Sequence, residues 1–247
     1  MSRTDQQLRR NKRRAKKERM RRSHATTDHA RIFGPPEKRF ELLSYRISLE
    51  ALDKPPEQRD PLLDAAMANI REDIWGRIHD DPQSAIPVLE ELLTRFPNAP
   101  MLLNWLASAQ ANAGEMEKAQ VTASRNLEAN PDYLFAKING ASFRLHEGDI
   151  AGAEQILDNK FDLKLHYPDR DVFHASEFLS FSALMINLWI RKGDFERAHK
   201  LFDVMDQLAP DHETTHGMRK VIEGSYLLQL ARSGSAAALR RGYLPKW

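Results

Sequence analysis

Three short segments share one pattern: AGEMEKA at 113–119, EGDIAGA at 147–153 and KGDFERA at 192–198. Each has a glycine (Gly114, Gly148, Gly193), an acid directly after it (Glu115, Asp149, Asp194) and an alanine five residues beyond the glycine (Ala119, Ala153, Ala198). Glycine tolerates the left-handed backbone that ends a helix. The acid favours the start of the next helix, as a cap or as a charge against its dipole. The alanine lets two helices approach closely. Ala119 and Ala153 are 34 residues apart, and a degenerate copy with Asp80 in the glycine place puts Ala85 another 34 residues upstream. Pro97 and Pro131 are also 34 apart, and Pro210 stands where the last copy ends. A period of this length belongs to helical hairpins stacked in series, because one hairpin cannot bury its own apolar face. From Ala153 to Ala198 the spacing is 45, so about 11 residues are inserted near 158–171.

The rest of the chain reads as helix from Phe40 onward. Phe40, Leu43, Ile47 and Leu52 predict an amphipathic helix over about 37–53, ended by Pro55 and Pro56. A second is expected over 59–79, with Leu62, Leu63, Ala66, Ile70, Ile74 and Ile78 on one face. Sustained period-two alternation is missing and Val and Thr are sparse, so no β-sheet is expected. The fold class is all-α: a helical-hairpin solenoid of about four repeats with capping helices, preceded by a basic disordered arm. The expected divisions are an arm at 1–36, an N-terminal helical cap at 37–65, the repeats at 66–232 and a tail at 233–247.

The repeats resemble the tetratricopeptide repeat (TPR) family. The copy at 100–131 supplies Leu103, Leu106, Ala107, Gln110, Ala119, Ala123 and Pro131; the copy at 134–168 supplies Gly140, Ala141, Ala153 and Leu157. The copy at 179–210 supplies Met185, Trp189, Ala198, Phe202 and Pro210, and the one at 66–97 keeps Gly76, Ala85, Leu89 and Pro97. The family's leading Trp is missing throughout. The resemblance implies a TPR-like fold over about 66–232, with the helix at 211–232 as a cap, and a concave surface that binds a peptide or protein. Placed by the repeat spacing, that surface carries Met101, Asn104, Ser108 and Asn112, then Phe135, Ile138, Asn139 and Ser142, then Ser180, Ala183, Asn187 and Arg191. Asn side chains carry donor and acceptor together and suit an extended backbone, and Phe135 and Ile138 are expected to supply a pocket. One subclass clamps acidic C-termini with Asn, Lys and Arg. The matching places here hold Ile70, Ile74, Trp105, Phe135 and Asn139, of which only Asn139 fits, so that activity is not expected.

Charge divides the chain. Residues 1–31 hold 12 Lys and Arg against Asp5, Glu18 and Asp28, a net of +9, while residues 32–247 hold 25 against 32 acids, a net of −7. The arm's cations include Arg9, Arg10, Lys12, Arg13, Arg14, Lys16, Lys17, Arg19, Arg21 and Arg22. Such a run binds polyanions by counterion release, and paired arginines bond phosphates bidentately. It contains no aromatic residue on which bases could stack. No leucine heptads follow it, which argues against a basic zipper. RNA or ribosome contact, a passive tail and a targeting or membrane segment all stay open for it. Without Cys there are no disulfides or thiolate metal sites, and the chain fits a reducing, cytoplasmic compartment. No apolar run is long enough for a transmembrane segment, and no apolar stretch follows the arm as in a secretory signal.

One motif points to an enzyme. His212-Glu213-Thr214-Thr215-His216 matches H-E-x-x-H, in which two His one turn apart share a zinc ion and the Glu activates water. Pro210 and Asp211 make it the first turn of a repeat helix with Asp211 as the cap, and no third ligand follows at a suitable spacing. The motif is read as coincidental. The expectation is a non-enzymatic adaptor with no metal, no cofactor and no small-molecule substrate; the alternative is an RNA- or ribosome-associated factor that works through its arm.

Overall fold

The computed structural model describes residues 44–50 and 60–232, with side chains to 225. The arm at 1–36, with its ten candidate cations, and the tail at 233–247 lie outside the described residues. In chain order the elements are β1 (Arg46–Ser48), α1 (Pro61–Met67), α2 (Arg71–Asp80), α3 (Pro82–Arg95), α4 (Pro100–Asn112), α5 (Met116–Ala129) and α6 (Leu134–His146). Then follow α7 (Ile150–Ile156), α8 (Leu163–His166), β2 (Val172–His174), α9 (Ala175–Lys192), α10 (Phe195–Leu208) and α11 (Glu213–Arg232). The fold is all-α and repeat-like. The hairpins are α2–α3, α4–α5, α6–α7 and α9–α10, with α11 packed on the last. The first helix of each hairpin also packs on the first helix of the next, so α2, α4, α6, α9 and α11 form one continuous row.

The repeated pattern does what its chemistry predicts. Gly114, Gly148 and Gly193 have φ of 82°, 83° and 80°, the left-handed region that ends α4, α6 and α9. Asp149 and Asp194 cap the next helices by accepting from the backbone N–H of Gly152 at 2.8 Å and of Arg197 at 3.1 Å. Glu115 makes no such cap; its carboxylate is held by Lys118 at 2.9 Å and by Gln83 at 3.4 Å. Ala85, Ala119, Ala153 and Ala198 are each 0% exposed at helix–helix contacts. Gly140 is a second kind of small residue. A Cβ there would stand 3.0 Å from Leu127 Cδ2 and 3.5 Å from Ile156 Cδ1, so the glycine lets α6 lie close to both α5 and α7.

Three expectations are corrected. The helix over 59–79 is broken: α1 ends at Met67 and α2 starts at Arg71. A helix turns about 100° per residue, so Leu62 and Leu63 cannot share the centre of one face. Leu63 is buried and Leu62 is 74% exposed. In place of the helix expected over 37–53, the described part, residues 44–50, holds the short strand β1 between bends; the rest of that stretch lies outside the described residues. There is also a small sheet. β1 pairs with β2 in parallel, with Ile47 opposite Phe173. Three residues a side leave no alternation to read, and the partners lie 126 positions apart.

The insertion explains that sheet. α7 has 7 residues where α5 and α10 have 14. The chain leaves α7 through Asp158 and Asn159 at φ 53° and 54°, and then fills the space that a longer helix would occupy. Leu157, Leu163 and Phe173 are 0% exposed. Phe161 meets Trp189 edge-on at 5.0 Å, and His166 meets Phe181 at 5.6 Å. Tyr45 is 8% exposed and edge-on to Phe173 at 4.9 Å; burial pushes its phenol up. Arg170 lies 4.4 Å over Phe173 and grips Glu177 through two bonds of 3.0 and 2.7 Å. Glu177 in turn accepts from the backbone N–H of His174, closing a capping box at the start of α9.

Candidate peptide-binding groove

α4 and α6 lie side by side because each is the first helix of its hairpin. Their C-terminal halves border an open cleft of about 330 Å³. From α4 come Ala107, Ser108, Ala111 and Asn112; from α6 come Asn139, Ser142, Phe143 and His146; Met116, 44% exposed, at the start of α5, also lines it. Small residues on α4 leave the space open. Polar residues one turn apart on α6 line its other side.

The hydrogen bonds tie neighbouring copies together. Asn139 Nδ2 donates to Asn104 Oδ1 at 2.8 Å, across α6 and α4. Asn112 Nδ2 donates to the carbonyl of Ile78 at 2.9 Å, across α4 and α2. Ser108 Oγ donates to the carbonyl of Asn104 at 3.0 Å within α4. Each of these groups keeps acceptor capacity after its bond is made: Asn112 Oδ1, Asn139 Oδ1 and the lone pairs of Ser108 Oγ.

Of the twelve groove candidates, Ser108, Asn112, Asn139 and Ser142 line this cleft, Asn104 is bonded to Asn139, and Ser180 and Ala183 are half-buried on α9. The others lie elsewhere. Met101 is half-buried against the core around α2 to α4. Phe135 is half-buried against the other core, its ring 5.7 Å from Tyr133. Ile138 does not form a pocket: it is 6% exposed, because α9 packs directly on α6 and covers that face. Asn187 bonds the carbonyl of Ala183 at 2.8 Å and approaches Met218 Sδ at 3.6 Å, beneath α11. Arg191 is exposed near the end of α9. Sequence reasoning did not include Ala111, Met116, Phe143 and His146 as lining, and took Ala107 as scaffold alone. Phe143 and His146 follow Asn139 and Ser142 by four residues, which is the spacing that could have found them.

The H-E-x-x-H stretch has a structural employment. His212 Nδ1 accepts from the backbone N–H of Thr214 at 3.1 Å, so this imidazole caps α11 in place of Asp211. Thr215 is 0% exposed, and its hydroxyl has no hydrogen-bond partner. Burial holds the His212 imidazole below its usual range, and His216 adds to this while Glu213 opposes it. Among the described residues no group of three or more His, Asp or Glu could hold a metal ion. No helix among them is long and apolar enough to cross a membrane.

Protein-family models, curated proteins and solved structures were each compared with this chain, and none matches.

Proposed function

We propose that this chain is a non-enzymatic, TPR-like adaptor of the cytoplasm that holds an extended peptide, or a segment of a partner protein, in the cleft between α4 and α6. One observation carries the reading: Ser108, Asn112, Asn139 and Ser142, chosen from two copies by repeat spacing alone, meet at one open cleft. Its volume is at the small end of the ~300–1,000 Å³ typical of ligand sites, which suits a side chain of an extended segment better than a free metabolite. Inter-copy bonds hold Asn112 and Asn139 in place, so little side-chain entropy is lost when they engage a ligand. The test is a titration of the full chain with a panel of labelled extended peptides. Asn139→Ala and Ser142→Tyr, which fills the cleft, should each weaken binding at least about tenfold, or ~1.4 kcal/mol. Binding that ignores both substitutions would overturn the assignment.

The +9 arm favours a second reading, contact with RNA or the ribosome through phosphate. Replacing Arg13, Arg14, Lys16 and Lys17 with Ala should then weaken RNA binding equally for all sequences. The salt slope should flatten by roughly one unit per lost phosphate contact. A gel shift showing no binding even at low salt would remove this reading.

A further inference from the structure

We infer that Met116 is an oxidation-sensitive element of the cleft: a hydroperoxide converts its thioether to the sulfoxide, and that change weakens the hold of the cleft on its peptide. The inference rests on the groove reading above.

The first argument is access. Among the described residues, Met67, Met185 and Met205 are 0% exposed, and Met101 and Met218 are half-buried against the two cores. Met116 alone of these methionines is exposed. It opens α5 and lines the cleft. An oxidant has to reach the sulfur lone pair, and water has to solvate the group that leaves. The folded chain should therefore take up oxygen here before it does at the other five. The repeat also sets the position apart. The residue after the Gly-acid pair is Met116, Ile150 or Phe195 in the three copies. Ile150 and Phe195 are half-buried, and neither side chain reacts with a hydroperoxide. The copy that supplies α4 carries an exposed thioether in their place.

The second argument is what the oxygen does there. The sulfur lone pair attacks one oxygen of hydrogen peroxide and the O–O bond breaks. Sulfur gives up two electrons, the proton of the transferred hydroxyl passes to the departing oxygen, and water leaves. A flexible apolar side chain becomes a polar, chiral one that carries a strong acceptor. Ala107, Ala111 and Phe143 share the lining with Met116 and give the cleft its apolar part. Its polar part still donates. Asn112 and Asn139 each spend one amide N–H on a neighbouring copy and keep the other, and Ser142 adds a hydroxyl. The groove reading gives these donors to the carbonyls of an extended peptide. A sulfoxide oxygen on the same lining competes for them from within the chain, without the loss of translational freedom that the peptide incurs. The apolar contact of the thioether is lost in the same step.

The test treats the full chain with dilute hydrogen peroxide at neutral pH. Oxygen uptake is mapped by mass, and the labelled peptides of the groove test are titrated before and after. Met116 should gain one oxygen before Met67, Met101, Met185, Met205 and Met218, and peptide binding should weaken at least about fivefold in step with it. Methionine sulfoxide reductase should restore the affinity. Met116→Leu keeps the bulk without the sulfur, so it should bind like the native chain and hold that affinity in peroxide. This variant retains Met1 and Met20, which lie outside the described residues, and so controls for their oxidation. Met116→Gln puts a polar acceptor at the same place and should weaken binding with no peroxide added. Uptake at Met116 no faster than at the buried methionines, an affinity unmoved by its oxidation, or a Met116→Leu chain that still loses affinity in peroxide would overturn the inference. Asn139→Ala and Ser142→Tyr in the reduced chain read the groove separately. If they weaken binding and oxidation does not, the groove stands and Met116 does not control it. If they leave binding unchanged, the groove reading falls and this inference falls with it.

Discussion

The two halves of the solenoid solve one packing problem in different ways. In the first half, from α1 to α4, the core is mostly aliphatic and built by near neighbours, with Leu89, Leu102 and Leu103 each 0% exposed and Trp105 its one buried aromatic. In the second half the core is richer in aromatics and longer-range: Phe173, Phe178, Phe181 and Trp189 are joined by Tyr45, more than 125 residues upstream of Phe173. Between them, α5 contributes a polar seam. Thr122 Oγ1 donates to Gln110 Oε1 at 2.7 Å, and Asn126 Nδ2 to the carbonyl of Pro100 at 3.1 Å. A regular hairpin needs only its neighbour. Once α7 is cut to half length, its missing surface has to come from elsewhere, and the insertion and the β1 segment supply it. Regions with separate cores can open as separate cooperative units.

The largest effect expected follows from that difference. Phe173→Ala removes a fully buried ring and should cost about 3–5 kcal/mol, read as lost amide-exchange protection in α6 to α10 with α2 to α4 largely spared. Equal loss in both halves would show that the seam does not separate them. Replacing Ala119, Ala153 or Ala198 with Leu should each cost about 1–3 kcal/mol by overpacking, measured by urea unfolding. If all three were tolerated, the alanines would not be setting helix approach. Thr122→Val keeps the shape at the seam but strips Gln110 of its partner, a loss of about 1–3 kcal/mol that should raise opening of α5 from α4.

The smallest effect is a pH dependence confined to the second half. His212 caps α11 only while its Nδ1 is unprotonated, and burial lowers its pKa in the folded chain. The unfolded chain therefore binds the proton more readily, and stability rises with pH. The contribution is complete above the ordinary histidine value and is lost as pH falls below it. His212→Asn replaces the Nδ1 acceptor with a carboxamide oxygen that does not titrate, so thermal unfolding of this variant should show a shallower decline on acidification. An unchanged slope would assign the decline to other histidines, such as His166, which burial also holds below its usual range.

Much of the hairpin register was legible because it rests on local chemistry. The left-handed turns at Gly114, Gly148 and Gly193 and the fully buried Ala119, Ala153 and Ala198 stand where the Gly-acid-Ala pattern puts them, 34 residues apart for the first two copies and 45 for the last. The cleft was legible in part. Ser108, Asn112, Asn139 and Ser142 could be chosen from periodicity, since side chains four residues apart share a helical face. Ile138 could not be excluded that way. Its burial depends on how α9 settles against α6, and the insertion, which carries no repeat, determines that.

What the amino-acid sequence determined alone is a set of features that act within one or two turns: the left-handed helix ends at Gly114, Gly148 and Gly193, the caps at Asp149 and Asp194, and the small contact residues. Tertiary structure decided the rest: the pairing of β1 with β2 across 126 positions, the burial of Tyr45 against Phe173, and the engagement of the Asn112 and Asn139 donors on neighbouring copies. The physical reason is range. Caps and turns are fixed by groups that the chain itself holds within a few ångströms. A partner 30 to 130 residues away is chosen only when packing brings it there, and periodicity records which faces are apolar but not which surface will cover them.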